Sequence, residues 1–217
     1  MTGDLLKCKV LATHTIANVS ETLARKLELP ERYRSIGILT ADSDDVTYCA
    51  LDEATKAAAV EVVYGRSLYA GAANANTKLA GEVIGILAGP NPAEVSSGLR
   101  AAVEFMDSGV GFRSANEDDS IVYFAHTVSR TGTYLSKTSG VREGEALAYL
   151  IAPPLEAVVG LDEAMKAADV ELVALFEPPS ETNFGGGLLT GTQSACKAAC
   201  EAFAEAVKAV AARPREV

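Results

Sequence analysis

The sequence predicts an α+β fold built twice over, as two like halves in tandem. Each half is a small antiparallel or mixed sheet backed by helices on one face. Three observations carry this. The stretch Leu51–Val63 returns as Leu161–Val173, with ten of thirteen positions identical. Ala12-Thr13-His14-Thr15-Ile16 resembles Phe124-Ala125-His126-Thr127-Val128, so the chain's two histidines fall at equivalent places. Hydrophobic residues make up 48% of the 217 positions, yet aromatics are 6% and Trp is absent, so the core is aliphatic and alanine-rich. A repeat spacing near 110 residues is too long for a solenoid. It reads as two homologous domains, 1–109 and 110–217, with the join near Asp107–Gly111.

The elements follow in order. Lys7 to Ile16 alternates and is β-branched, as a strand should be. Ser20 caps a short helix with Leu23 and Leu27 on one face. Ser35–Ala41 and Val46–Ala50 read as strands joined by an acidic turn, Asp42-Ser43-Asp44-Asp45. A helix runs from Asp52 to about Ala58, then a strand over Val60–Tyr64. Gly65 to Lys78 reads as a loop of small residues, and Glu82–Ala88 as an apolar central strand. Asn91, Pro92 and Glu94 supply the cap, first-turn proline and N3 carboxylate of a helix whose apolar side is Val95, Leu99, Val103 and Met106. In the second half, strands are expected near 120–128, 146–152, 156–159, 170–176 and 187–190. Helices are expected at 162–168 and 194–211, the latter burying Ala195, Ala199, Phe203, Val207 and Val210.

Charge and motifs narrow the function. A formal net charge of −10 argues against a nucleic-acid or anionic-membrane surface, since Lys and Arg supply most phosphate affinity. The start of the chain lacks the basic-then-apolar pattern of a signal peptide, and no stretch reaches the roughly 18 apolar residues of a membrane span. The four cysteines lack framework spacing, which points to a reduced, cytosolic protein. Cys196 and Cys200 share a helix face, where buried small residues are a better reading than half a metal site. No HExxH, P-loop, GxSxG or paired CxxC appears, and Gly185-Gly186-Gly187 lacks the Lys-Ser/Thr of a phosphate cradle. The expectation is a protein that is not an enzyme, with no cofactor and no metal. A carboxylate-bound divalent cation at Asp42–Asp45 is the rival.

Several stretches, taken in order, carry a resemblance. They are Ala41–Tyr48, Val62–Ala72, Ala88–Glu94, Val128–Gly132, Ala152–Ala157 and Gly191–Cys200. Together they are similar to the L-type shell proteins of ethanolamine-utilisation bacterial microcompartments, over nearly the whole chain. The resemblance implies two tandem, circularly permuted microcompartment (BMC) domains. It implies a homotrimer, a flat pseudo-hexamer that tiles with other shell proteins into a compartment in the cytoplasm. It also implies a central pore opened or closed by loops. Ser67–Lys78 and Pro178–Gly187 occupy equivalent places, and Tyr69, Gly71, Ala73, Asn74, Asn183, Phe184 and Gly185 are the gating candidates. Glycines there favour mobile backbone, and Tyr69 and Phe184 are sized to plug an aperture.

The same resemblance implies an ethanolamine site in each subunit, at Asp44, Asp45, Glu82, Phe112 and Thr182. The chemistry is consistent with an ammonium bearing a hydroxyl. Carboxylates accept its N–H bonds, a ring face attracts the cation, and a threonine pairs with the hydroxyl. Without the resemblance, Asp42–Asp45 reads as a solvated acidic turn. Two alternatives stand beside this reading: a tandem shell protein of a propanediol-type compartment, and a small-amine sensor that does not tile.

Overall fold

The computed structural model describes residues 1–67, 82–178, 180 and 182–215. They fall into two compact units. One comprises Cys8–Val110 with Gly132–Leu135; the other comprises Met1–Lys7, Gly111–Thr131 and Ser136–Val217. The chain opens with β1 (Leu5–Leu6), which belongs to the second of these.

The first-half unit runs β2 (Val10–Ile16), α1 (Glu21–Lys26), β3 (Ser35–Ala41), α2 (Asp44–Ala57), β4 (Glu61–Ser67), β5 (Val83–Gly89) and α3 (Pro92–Asp107). Its sheet is antiparallel in the order β2-β3-β5-β4. The central strands, β3 and β5, are apolar and buried over most of their length because both faces are covered. On one face α2 and α3 bury Leu39, Leu51, Leu87, Val95 and Ala102. The other face is covered too: α1 contributes Ala24 to a small cluster with Val19, Tyr33, Ile36 and Ile86. The longer helices α2 and α3 thus back one face of this sheet, as expected, and the short α1 with its flanking residues covers part of the other.

Local chemistry explains the helix starts. Ser20 Oγ accepts from the Leu23 amide at 3.4 Å, and Asn91 Oδ1 from the Glu94 amide at 3.0 Å. The Glu94 carboxylate does not close a capping box. It accepts from the Ala59 amide at 2.8 Å and ties the end of α2 to the start of α3. Asp44 and Asp45, expected in a turn, form the first turn of α2, where carboxylates are favoured by the helix dipole. Val46–Ala50, expected as a strand, is helical; its buried Val46, Cys49 and Ala50 share a face of α2 with Ala54 one turn on.

The second-half unit continues with β6 (Phe112–Ser114), β7 (Val122–Val128), α4 (Thr133–Ser139), β8 (Ala146–Ala152), α5 (Pro154–Ala167), β9 (Val170–Phe176), β10 (Gly185–Gly191) and α6 (Gln193–Ala212). Its sheet order is β1-β6-β7-β8-β10-β9. The last four strands repeat the arrangement of β2-β3-β5-β4, with β1 and β6 added at the edge. Met1–Lys7 thus joins the second half through the pairing of Leu5 and Leu6 with Arg113 and Phe112. Residues 156–159, expected as a strand, lie in α5, which Pro154 opens from a preorganised backbone. In α6 the buried stripe is Cys196, Ala199, Cys200, Phe203 and Val207, while Ala195 and Val210 are only half-buried. Among the described residues no helix is long and apolar enough to cross a membrane.

Candidate functional site

The N-terminus of α2 concentrates charge out of water. Asp44 is 4% exposed and Asp45 7%. Asp44 Oδ1 accepts from the Asp45 amide at 2.9 Å, and its carboxylate also bonds Ser67 at the end of β4. Ser67 Oγ in turn donates to the Glu82 carbonyl at 3.4 Å. Ser67 therefore brings the backbone of Glu82 towards Asp44, with the Glu82 side chain half-buried. Burial pushes the Asp44 carboxyl up to about 6, and the hydrogen bonds from Asp45 and Ser67 only partly oppose this. Ser43, the N-cap, is fully buried, and its Oγ has no hydrogen-bond partner among the described residues. A buried carboxylate pair beside an unpartnered hydroxyl suits a small cation that also hydrogen-bonds.

Further along α2, Asp52 has a different task. It is fully buried. Its Oδ2 accepts from the Gly132 amide at 2.7 Å and its Oδ1 from the Leu135 amide at 2.8 Å. Thr55 Oγ1 accepts from the Thr133 amide at 3.1 Å. Lys56 Nζ lies 3.5 Å from Asp52. This carboxylate is a clamp on backbone rather than a ligand group.

In the second-half unit, Phe112 is fully buried, 5.4 Å from the Phe124 ring and 5.9 Å from the Phe184 ring. Thr182 is buried in a hydrogen-bonded turn: its Oγ1 accepts from the Phe184 amide at 3.1 Å, and the Ser180 amide donates to the Phe184 carbonyl at 2.9 Å. Asn183 is exposed and Phe184 half-buried. Gly185 and Gly186, expected in a loop, instead start β10 two residues before the expected strand at Gly187, and the three pair with Ala152, Ile151 and Leu150. A Cβ on Gly186 would fall 1.9 Å from the Leu150 carbonyl oxygen, so the glycine serves close strand approach. Tyr69, Gly71, Ala73 and Asn74 lie outside the described residues.

Thus Asp44, Asp45 and Glu82 belong to one unit, and Phe112 and Thr182 to the other. Sequence reasoning missed Ser43, Ser67 and Asp52. Only Ser43 carried a legible signal, a serine just before two aspartates at a helix start. The four cysteines are buried and unpaired, with thiols pushed up by burial, Cys200 to about 11. Among the described residues no group of three or more His, Cys, Asp or Glu is placed to hold a metal.

Comparison with known proteins settles the family. The BMC domain model matches residues 35–115. The bacterial microcompartment shell protein EutL of Clostridium perfringens is 69% identical over 214 residues, spanning 99% of each chain. The chain belongs to the EutL family of microcompartment shell proteins. The crystal structure of the ethanolamine utilization protein EutL from Leptotrichia buccalis matches with a TM-score of 0.95 at 70% identity, covering 100% of both chains. PduB, a trimeric shell protein, shares the fold at a TM-score of 0.79 and 22% identity, over 94% of this chain and 89% of PduB. The EutL likeness makes this a structural shell protein of the ethanolamine microcompartment, in the cytoplasm, and not an enzyme. The propanediol-type reading gives way to the 69% identity with EutL over 99% of each chain.

Proposed function

We propose that three copies of this chain form a flat pseudo-hexameric tile of the shell, with a gated central pore and an ethanolamine site in each subunit that favours the closed pore. The internal duplication supports the tile most directly. Two like sheets per chain, repeated three times, give sixfold-looking geometry from threefold symmetry, and closed rings are the common form of assembly. The ethanolamine site is supported by the buried pair Asp44 and Asp45 beside Ser43. Those carboxylates and Glu82 take the ammonium, Thr182 pairs with the hydroxyl, and the buried Phe112 serves as an apolar wall. Ligand closes the pore only by differential affinity for the two states, so the site and the loops must be coupled. The gating set is Tyr69, Gly71, Ala73, Asn74, Asn183 and Phe184, with Gly185 as the strand anchor of its loop. Titration calorimetry with ethanolamine tests the site: binding to the parent is expected to weaken strongly in Asp45→Ala and Glu82→Ala. Unchanged affinity in both would remove this ligand set.

A further inference from the structure

Resting on the ethanolamine reading of this site, we infer that Ser67 is a positioning residue that lets an arriving ammonium charge Asp44, by turning its one hydroxyl proton from the Glu82 carbonyl onto the Asp44 carboxylate. Ser67 closes β4 and pairs in register with Val83, the residue after Glu82. Its Oγ therefore stands between two acceptors. One is the Glu82 carbonyl oxygen, at 3.4 Å. The other is the Asp44 carboxyl at the start of α2. A serine hydroxyl has a single proton, so it cannot serve both fully.

The charge of Asp44 decides which acceptor wins. A protonated Asp44 donates its own O–H to Ser67 Oγ, and Ser67 passes its proton on to the Glu82 carbonyl. An ionised Asp44 only accepts, and a carboxylate is a stronger acceptor than a neutral carbonyl, so Ser67 turns to it. The bond to Glu82 is long for an O–H donor and gives way easily. Burial holds the Asp44 carboxyl at about 6, so both states are within reach near neutrality. An ammonium beside Asp44 favours the ionised one. The ligand arrives charged, the Asp44 proton leaves for solvent, and Ser67 turns. The Glu82 carbonyl, now without its donor, joins the acceptors around the ammonium's three N–H groups.

The other charged groups near this corner leave that role to Ser67. Asp45 shares the first turn of α2, and its amide and side chain both bond the Asp44 carboxyl. Asp42, at the turn after β3, accepts from the Lys9 amide at 2.6 Å. Arg66 is exposed and, one residue before Ser67 on a strand, projects to the opposite face. Glu82 leads into β5 with its side chain half-buried. α3 brings Glu104 beside Glu53 and Lys56, more than two turns further along α2. Among the side chains from other elements, Ser67 is the one that hydrogen-bonds the Asp44 carboxyl.

Titration calorimetry of the full chain with ethanolamine, from about pH 5.5 to 8.5 and in two buffers of different ionisation enthalpy, reads both affinity and protons released. The parent is expected to release most of one proton at the acid end and to reach its full affinity above about pH 6. Ser67→Ala removes the donor that steadies the carboxylate. Its affinity curve is expected to move up by about one pH unit, leaving it about fivefold weaker at pH 6 and equal to the parent by pH 8.5. Ser67→Thr keeps the hydroxyl and is expected to follow the parent. A substitution that merely loosened the site would admit water and move the curve down, the opposite sign. A parent that does not bind ethanolamine would sink the site reading and this role with it. A parent that binds, with a Ser67→Ala curve unmoved or moved down, would overturn the role of Ser67 alone, and so would a Ser67→Thr curve that follows Ser67→Ala.

Discussion

Replacing Asp44 with Asn is expected to stabilise the protein while abolishing its response to ethanolamine. The unfolded carboxyl ionises near 3.8, and burial moves the folded one to about 6. Between those values the folded state holds the proton more tightly, so stability falls as pH rises from about 4 to 6 and stays lower above it. At about 1.4 kcal/mol per pKa unit, the charged Asp44 costs the folded state on the order of 3 kcal/mol at neutral pH. Asn removes that charge yet keeps an oxygen to accept from the Asp45 amide. For a chain of this size 1 kcal/mol moves the melting temperature by about 2–4 °C, so a gain of several degrees is expected at pH 7.5. Near pH 3.5 the two proteins should melt together, because the parent carboxyl is then protonated. A bound ammonium restores the carboxylate, so ethanolamine should raise the parent's melting temperature and bind more tightly as pH rises through 6. Differential scanning calorimetry of both proteins, with and without ethanolamine, reads all of this. A variant that melts below the parent at pH 7.5, or responds equally to ethanolamine, would refute the reasoning.

Other predictions follow from single contacts. Asp52→Ala strands the buried amides of Gly132 and Leu135, at a cost of about 3–6 kcal/mol; hydrogen exchange at those two amides should accelerate, and unchanged protection would contradict the clamp. Gly186→Ala drives a methyl into the Leu150 carbonyl, and a loss of about 3 kcal/mol or more is expected in urea unfolding; parent-like stability would mean that β8 and β10 are not so closely apposed. Glu94→Ala removes the exposed tie to the Ala59 amide and should cost only about 1 kcal/mol by the same assay. All four thiols should resist a disulfide-exchange reagent at pH 8 until the protein unfolds; fast labelling of any one would contradict their burial.

Much of this fold was legible because it is stated twice. The repeat of Leu51–Val63 at Leu161–Val173 located α2 and α5, and Asn91-Pro92 marked the start of α3. The first turns of α2 and α5 were misread for one shared reason. Short apolar runs such as Val46–Ala50 fit a buried strand as well as a helix, and aspartate favours turns and helix N-termini alike. Pro153-Pro154 was a usable signal for α5, since proline is at home in a first helical turn. The roles of the aspartates were not legible. Asp52 and Asp162 are identical in the repeat, yet one is a buried clamp and the other an exposed partner of Lys166. That difference depends on where Gly132–Leu135 packs, which no local pattern encodes. The glycine run at Gly185 looked like slack and is instead close strand pairing.

The assembly itself is the claim most open to a direct look. Electron microscopy of the purified, concentrated chain should show flat sheets of threefold particles packed edge to edge. Scattered single protomers with no lateral order, at any concentration tried, would contradict a shell-forming tile.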